Sequence, residues 1–326
     1  MSRLATLPAS NAMRVIARAP TRIDFGGGWT DVPPVCTDES GTVCAAAIAR
    51  YATITLEPSA EHHEELPMEP IARAALRRAG LRDVHATIAN DFPVGAGLGG
   101  SAAAGVALQA AIAAWKGEFV EPLELVARSR TVEVDDLGVA GGWQDHCAAA
   151  LGGVLAMRFG VGLPDVKRLA LDDDVLAAIE QRCVVVYTGE SRLSSRTITG
   201  VLDAWRDGRS GTRALLAHMR DLAGQMIDVL ERGDAGALGP LVAAHWDRQR
   251  ALHEEIPTER IDALITRGAA AGAVGYKALG ASGGGCVLLV AADADGAEDI
   301  RRAAAPLGEV LPFTISRSGV QITVGR

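Results

Sequence analysis

The sequence has few aromatic residues and no long apolar run. Phe, Trp and Tyr make up 4% of its 326 residues, so Ala, Val and Leu must supply most of the core. The hydrophobic fraction of 48% is ample for this, and the length leaves room for two domains or two lobes. Neither a membrane-spanning stretch nor the apolar segment of a secretory signal is apparent, so we expect a cytoplasmic protein without a membrane partner.

Paired cysteines and a positive charge excess are missing as well. The five cysteines are scattered and include no Cys-x-x-Cys pair, which predicts buried free thiols and argues against disulfides or a zinc site. The 32 Lys and Arg residues are outnumbered by 40 Asp and Glu residues, giving a formal net charge of −8. We therefore expect no nucleic-acid partner.

A glycine-rich run at residues 91–103 is the most informative stretch that is present. Alternation at 84–89 predicts a strand before it, and the Ala-rich stretch 102–115 predicts a helix after it. Backbone N–H groups and the helix dipole at such a turn favour an anion such as phosphate. Ser101 could cap the helix or offer its hydroxyl to a metal ion. A plain strand–helix turn is the competing interpretation, because the P-loop ending and the dinucleotide spacing are both absent.

Two further glycine-rich segments carry polar residues, at 20–31 and at 280–285. Predicted strands and helices mix irregularly along the chain, which favours an α+β fold. In this order and at this spacing, the three segments resemble the motifs of the GHMP kinase superfamily, named for galactokinase, homoserine kinase, mevalonate kinase and phosphomevalonate kinase. The middle segment is similar to its Pro-x-x-x-Gly-Leu-Gly-Ser-Ser-Ala phosphate motif through Pro93, Gly97, Leu98, Gly99, Ser101 and Ala102.

The resemblance runs from about Arg18 to the C-terminus and implies a two-lobed α+β fold. Each lobe would be a mainly antiparallel sheet with packed helices, and the active site would lie in the cleft between them. We place the N-terminal domain at 1–170, with the phosphate loop, and the C-terminal domain at 171–326, with the third glycine motif. Two positions depart from the family pattern: Gly100 replaces one of the usual paired serines, and Ser282 stands where glycine is common.

Four segments are similar to motifs of kinases that act at the anomeric carbon of sugars. They are residues 22–34, 141–145, 187–192 and 245–248, and they resemble L-fucokinases and D-glycero-D-manno-heptose 7-phosphate kinases. The resemblance implies Mg-ATP as the phosphate donor. ATP-binding residues would be Gly95, Gly97, Leu98, Gly99, Gly100, Ser101 and Ala102. Ser101 and Glu133 would hold Mg²⁺. A solvated helix-face carboxylate is the alternative for Glu133, and Asp135 and Asp136 compete for the metal.

The resemblance also implies the catalytic residues. Asp145 would accept the proton of the attacking hydroxyl, and Arg22 would neutralise charge near the phosphoryl group or orient Asp145. The alternatives are an N-cap for a helix at 146–151 in the case of Asp145 and an ordinary strand-edge arginine in the case of Arg22. Lys277 could contact phosphate, but a helix-end lysine with a buried stem is favoured.

Substrate contacts are expected from the first and third segments and from one arginine pair. The implied residues are Gly28, Thr30, Asp31, Arg192, Arg196, Gly283 and Gly284. Asp31 would accept bonds from sugar hydroxyls, with a turn aspartate before Pro33 as its alternative. Arg192 and Arg196 are spaced one helical turn apart among three serines, which fits a clamp for a phosphate on the far end of the sugar as well as a solvated helix start.

We therefore expect an ATP-dependent kinase that phosphorylates a sugar at its anomeric hydroxyl and feeds nucleotide-sugar synthesis. A heptose 7-phosphate is the favoured substrate, and a free sugar such as L-fucose is the second. A non-catalytic sugar sensor is the alternative of another class, and the presence of Asp145, Glu133 and Ser101 argues against it. A homo-oligomer is compatible with this interpretation.

Overall fold

The computed structural model describes residues 13–59, 67–190 and 195–325, leaving aside the side chains of residues 195 and 196. The strands in these ranges are β1 (Arg14–Gly26), β2 (Gly41–Pro58), β3 (Val84–Asn90), β4 (Val154–Phe159), β5 (Asp165–Arg168), β6 (Cys183–Tyr187), β7 (Ala273–Ala278), β8 (Cys286–Ala291), β9 (Glu309–Leu311) and β10 (Gln321–Gly325). The helices are α1 (Val35–Glu39), α2 (Pro70–Ala79), α3 (Gly100–Lys116), α4 (Pro122–Thr131), α5 (Gln144–Leu151), α6 (Asp173–Arg182), α7 (Ser195–Arg206), α8 (Ser210–Glu231), α9 (Leu238–Gln249), α10 (Glu259–Ala270) and α11 (Ala294–Ala304).

Two antiparallel sheets organise these elements. The first has the order β10-β1-β2-β4-β5, and β3 pairs with the far half of β2. The second has the order β7-β8-β6-β9. The last strand of the chain therefore returns to the first sheet, where it pairs with β1 from Arg14↔Gly325 to Arg18↔Gln321. The predicted α+β class with two antiparallel sheets is confirmed, whereas the boundary at 170/171 stays a prediction.

Burial changes along β1: its first residues are partly exposed, and its second half is buried and carries residues of the site. Its first residues alternate between exposed and buried, as a strand with one solvated face does. From Ala19 to Gly26 every residue is buried, because α3 and α5 cover one face and α8 and α9 approach from the other side. Arg22 and Asp24 share one face of this buried half, since side chains alternate along a strand. Two charged side chains thus enter the interior of the molecule.

The core continues from one sheet to the other. One apolar cluster lies between the first sheet and α3, and another surrounds Trp205 and Trp246 in the C-terminal half. A third cluster combines Ile23 and Phe25 of β1 with residues of β6 and β8, such as Val185. The two sheets are therefore joined by buried apolar contacts over and above the covalent connections.

The predicted elements agree well with the structure, with one informative error. The strand predicted at residues 84–89 is β3, and the helix predicted at residues 102–115 is α3. Lys277, however, is a fully buried residue of β7, so the favoured helix-end interpretation is wrong. All five cysteines are buried free thiols, as predicted. No described helix combines the length and apolar character needed to cross a membrane.

Candidate functional site

A cleft of about 590 Å³ has walls from both halves of the chain. One wall contains the buried half of β1 and the glycine-rich segment before α3, and the other contains residues 279–284 between β7 and β8. This volume lies in the range of small-molecule sites. All the predicted phosphate-loop residues line it: Gly95, Gly97, Leu98, Gly99, Gly100, Ser101 and Ala102.

The phosphate-loop backbone adopts an alternating conformation that requires glycine. Gly95, Gly97 and Gly99 have φ values of 75°, 72° and 75°, in the left-handed region that L side chains avoid. The backbone N–H of Arg22 donates to Leu98 O at 2.9 Å, and Arg22 Nη1 donates to Gly97 O at 2.7 Å. β1 therefore fixes the loop immediately before the N-terminus of α3, where the helix dipole favours an anion.

The missing serine at position 100 has a steric explanation. A Cβ atom on Gly100 would overlap the ring of Phe92, which packs against the start of α3. The aromatic ring therefore occupies the space that a side chain at position 100 would need. Ser101, the next residue, is exposed to the cleft.

Arg22 and Asp145 form an ion pair at the floor of the cleft. Arg22 Nε and Nη2 each lie 2.7 Å from Asp145 Oδ1. The arginine side chain is 3% exposed and the aspartate side chain 29%, so the carboxylate lies on the open side of the pair. Burial lowers the pKa of Arg22, but the charges of Asp145, Asp24 and Asp31 outweigh this and raise it, which keeps the guanidinium charged. Trp143, rather than Asp145, takes the N-cap position of α5.

A chain of hydrogen bonds leads from the cleft into the protein behind it. Ser101 Oγ donates to Glu133 Oε1 at 2.6 Å, Glu133 Oε2 lies 3.0 Å from His146 Nε2, and His146 Nδ1 lies 3.0 Å from Ser129 Oγ. Burial raises the pKa of Glu133, but the hydrogen bonds and charges of His146, Ser101 and Arg130 outweigh burial and lower it overall. Glu133 is therefore held as a carboxylate. It projects from a π-helical turn, Val132–Asp136, at the end of α4.

The oxygen donors at Ser101 and Glu133 fit a hard cation. The two oxygens are 2.6 Å apart beside the phosphate loop. In the described ranges, no cluster of three or more His, Cys, Asp or Glu side chains could hold a metal by itself. Such a pair suits Mg²⁺, which is usually bound by one or two protein oxygens together with phosphates. Of the two competing acids, Asp135 is exposed and Asp136 pairs with Arg78 at 2.6 Å.

Asp31 is a buried carboxylate bonded to the two residues that precede Asp145. It accepts from the backbone N–H groups of Trp143 and Gln144 at 2.8 and 3.0 Å, and from Gln144 Nε2 at 3.2 Å. Burial raises its pKa to about 6, and the nearby charge of Asp145 acts in the same direction against the backbone donors. Gly28 also lines the cleft, whereas the Thr30 hydroxyl is used internally and donates to Gly27 O at 2.6 Å.

The third glycine segment closes the opposite wall. Ser282 has a φ of 71°, which is unusual for a residue with a side chain, and its Oγ accepts from Gln249 Nε2 at 3.0 Å. Gly284 lines the cleft, while the Gly283 N–H donates to Ile256 O at 2.9 Å. Arg192 lies outside the described residues, as does the side chain of Arg196, so the proposed clamp has no structural description.

Several polar contacts at the site lacked a sequence signal. Lys277 Nζ forms a close ion pair with the Asp24 carboxylate, and both side chains are buried. His245 Nε2 accepts from the Gly27 N–H at 2.8 Å, and burial together with the Lys277 charge lowers the His245 pKa well below its usual value. His146 was not singled out either. The alternating burial of Ala273, Gly275 and Lys277 in β7 is visible only in the structure.

Comparison with known protein families identifies matches in both halves of the chain. The model of the GHMP kinases N terminal domain matches residues 66–153, and the GHMP kinases C terminal model matches residues 226–307. The L-fucokinase/L-fucose-1-P guanylyltransferase of Bacteroides fragilis is 27% identical over 95% of this chain. The chain spans 38% of that protein's length. The D-glycero-alpha-D-manno-heptose 7-phosphate kinase of Campylobacter jejuni is 24% identical, over 93% of this chain and 97% of that protein.

Solved structures share the fold. A D-glycero-D-manno-heptose 1-phosphate kinase from Bacteriodes thetaiotaomicron superimposes with a TM-score of 0.75 at 22% identity, covering 95% of this chain and 98% of that chain. Lactococcus lactis galactokinase complexed with galactose gives 0.76 at 17% identity, covering 94% of this chain and 95% of that chain. At these identities the likeness establishes the architecture alone.

Proposed function

This chain belongs to the GHMP kinase superfamily and is an ATP-dependent small-molecule kinase, and from that premise we propose that it phosphorylates the anomeric hydroxyl of a sugar. The observation that carries the proposal is the placement of Asp145. Its carboxylate is open to the cleft and forms an ion pair with the buried Arg22. Gly99 of the phosphate loop lies next to the same carboxylate.

Proximity of the base and the phosphate loop supports an in-line transfer. A Cβ atom on Gly99 would lie only 3.0 Å from Asp145 Cγ, so the loop and the carboxylate are in close contact. Both arginine contacts fall on Asp145 Oδ1, which leaves Oδ2 for a substrate hydroxyl. Asp145 would take the proton of that hydroxyl as its oxygen forms a bond to the γ-phosphorus. The bond from the γ-phosphorus to the bridging oxygen breaks, ADP leaves, and the proton passes from Asp145 to solvent.

The other site residues would prepare the reactants. Ser101 and Glu133 would hold Mg²⁺, which when bound supplies positive charge to the phosphates. His146 would keep Glu133 in place through its bond to Oε2. Buried Arg22 would orient Asp145 and stabilise charge on the transferred group. The glycines of the phosphate loop would let the phosphates approach the backbone.

A heptose 7-phosphate is our first proposal for the substrate and L-fucose the second. Two relatives that each cover more than nine-tenths of this chain are named for kinases of these sugars. Arg192 and Arg196 would bind the phosphate at the far end of the heptose, a group that a free sugar lacks.

Product analysis on a sugar panel tests the proposal. The purified chain is incubated with Mg-ATP and D-glycero-D-manno-heptose 7-phosphate, L-fucose, galactose or mevalonate, and products are assigned by anomer-resolved phosphorus NMR. We expect a sugar 1-phosphate, and we expect Asp145→Asn to lower turnover by about 10²–10⁴-fold while ATP still binds. A mevalonate phosphate as sole product, or near-normal turnover in Asp145→Asn, would contradict the proposal.

A further inference from the structure

Three buried polar atoms on the cleft walls have no hydrogen-bond partner among the described residues. They are Trp29 Nε1, Gln144 Oε1 and Gln249 Oε1, and each of these side chains is more than nine-tenths buried. The other unpartnered buried atoms in this part of the chain belong to residues that do not line the cleft. An unpaired buried polar group destabilises a protein, so three such atoms on residues that line one cavity indicate a ligand that pairs with them.

The orientation of the Gln249 amide is fixed by its neighbours. Its Nε2 donates to Ala278 O at 3.3 Å, to Gly280 O at 3.2 Å and to Ser282 Oγ at 3.0 Å. Reversing the amide would place Oε1 against two carbonyl oxygens, which cannot donate. Oε1 is therefore the free atom. Ser282, the departure from glycine in the third segment, helps to hold Gln249 in this orientation.

Gln144 presents a second acceptor from the other half of the chain. Its Nε2 donates to Asp31 Oδ1 at 3.2 Å, so its Oε1 is the atom without a partner. Gln144 immediately precedes Asp145 on α5, whereas Gln249 lies at the end of α9. The two acceptors thus belong to separate walls, with Trp29 Nε1 as a donor in the same cavity.

We propose that Gln144 and Gln249 are specificity-determining residues that accept hydrogen bonds from two different sugar hydroxyls, while Trp29 donates to an oxygen of the same sugar. The substrate must then carry at least two free hydroxyls besides the anomeric one. This inference rests on the proposed function and deepens it. Neutral acceptors of this kind discriminate strongly, because a substrate lacking the hydroxyl leaves the buried oxygen unpaired.

Deoxy substrates test the inference without altering the protein. Kinetics are measured for whichever sugar of the panel the parent turns over, and for its 2-, 3- and 4-deoxy forms. We expect removal of each of two hydroxyls to lower kcat/KM by about 10–100-fold. If no single deoxy substrate loses more than about 3-fold, the inference is overturned.

Variants then assign each hydroxyl to its acceptor. The Gln249→Met enzyme should no longer discriminate against one deoxy sugar, so kcat/KM for this sugar and for the full substrate should differ by less than about 3-fold. Gln144→Met should have the same effect for a different deoxy sugar. Gln225→Met, at an exposed glutamine of α8, should keep the discrimination of the parent.

Equal discrimination in parent and both cleft variants overturns the inference alone. A parent that phosphorylates no sugar of the panel overturns the proposed function together with it, and if a cleft variant does not fold, the deoxy series on the parent decides.

Discussion

At the scale of single residues, Asp31 combines complete burial with a titration in an accessible range. Its folded-state pKa of about 6 exceeds the 3.8 of an ordinary aspartate, chiefly because burial disfavours the charged form. Between these two values the native protein holds a proton that the unfolded chain has released. Asp31 therefore contributes most to stability below about pH 4, and this contribution falls as the pH rises to 6.

Asp31→Asn should remove this dependence. The free energy of unfolding of the parent, relative to the variant, should fall by on the order of 3 kcal/mol between pH 4 and pH 7, since one pKa unit corresponds to about 1.36 kcal/mol. Denaturant unfolding of both proteins across this range measures the difference. Any constant offset reflects the altered hydrogen bonds to Trp143 and Gln144 and is set aside. A difference that does not vary with pH would contradict the assignment of the raised pKa to Asp31.

Individual residues also mark the limit of what the sequence could predict. The motifs led to Arg22, Asp145, Ser101 and Glu133, and the structure places these residues around one cleft. The partner of Lys277 could not be predicted, because Asp24 lies 253 residues away and only the fold brings them together. The sequence of β7 predicts the wrong buried face. Its larger apolar residues, Val274 and Tyr276, lie on the more exposed side, whereas Lys277 lies on the buried side.

At the scale of elements, α3 joins the phosphate loop to the core. Its strand-loop-helix context could be predicted from the glycine run and the Ala-rich stretch. The reason for Gly105 inside the helix could not, because it is a matter of tertiary packing. A Cβ atom at this position would overlap Ser129 Oγ, the group that bonds His146 behind Glu133. One glycine in α3 therefore makes room for Ser129 of α4, which supports His146.

The two ends of α3 provide a matched pair of substitutions. Gly99 and Gly117 both have left-handed φ values, 75° and 69°, but a Cβ atom at Gly99 would press on Asp145 while one at Gly117 meets nothing within 4 Å. Gly99→Ala and Gly117→Ala should each cost about 1–2 kcal/mol of stability from backbone strain. Only Gly99→Ala should lower turnover and weaken ATP binding, as measured by steady-state kinetics and calorimetry. Equal activity in the two variants would refute the close contact between the loop and the base.

At the scale of the whole molecule, the Asp24–Lys277 pair links the two sheets. Asp24 belongs to β1 and Lys277 to β7, and both are buried. Burial lowers the pKa of Lys277, while the Asp24 charge opposes that change. Removing one partner of a buried pair leaves an uncompensated charge, which is far more costly than removing both.

Lys277→Met should therefore lower the free energy of unfolding by about 3–5 kcal/mol, and adding Asp24→Asn should recover much of the loss. Lys167→Met is the control: Lys167 lies 2.6 Å from Glu231, but the pair is exposed, so the change should stay below about 1 kcal/mol. Urea unfolding of the four proteins gives the comparison. A double variant no more stable than Lys277→Met alone would exclude an uncompensated Asp24 charge as the cause.

The return of β10 to the first sheet bears on how the protein is made. Arg18 of β1 and Gln321 of β10 are 303 positions apart, yet their side chains are hydrogen-bonded. During synthesis the first sheet keeps an unpaired edge at β1 until residues 321–325 have left the ribosome. Contacts of such long sequence separation slow folding, and exposed strand edges attract other chains. We therefore expect the N-terminal half, although it is made first, to keep this edge open to other chains until β10 has been made.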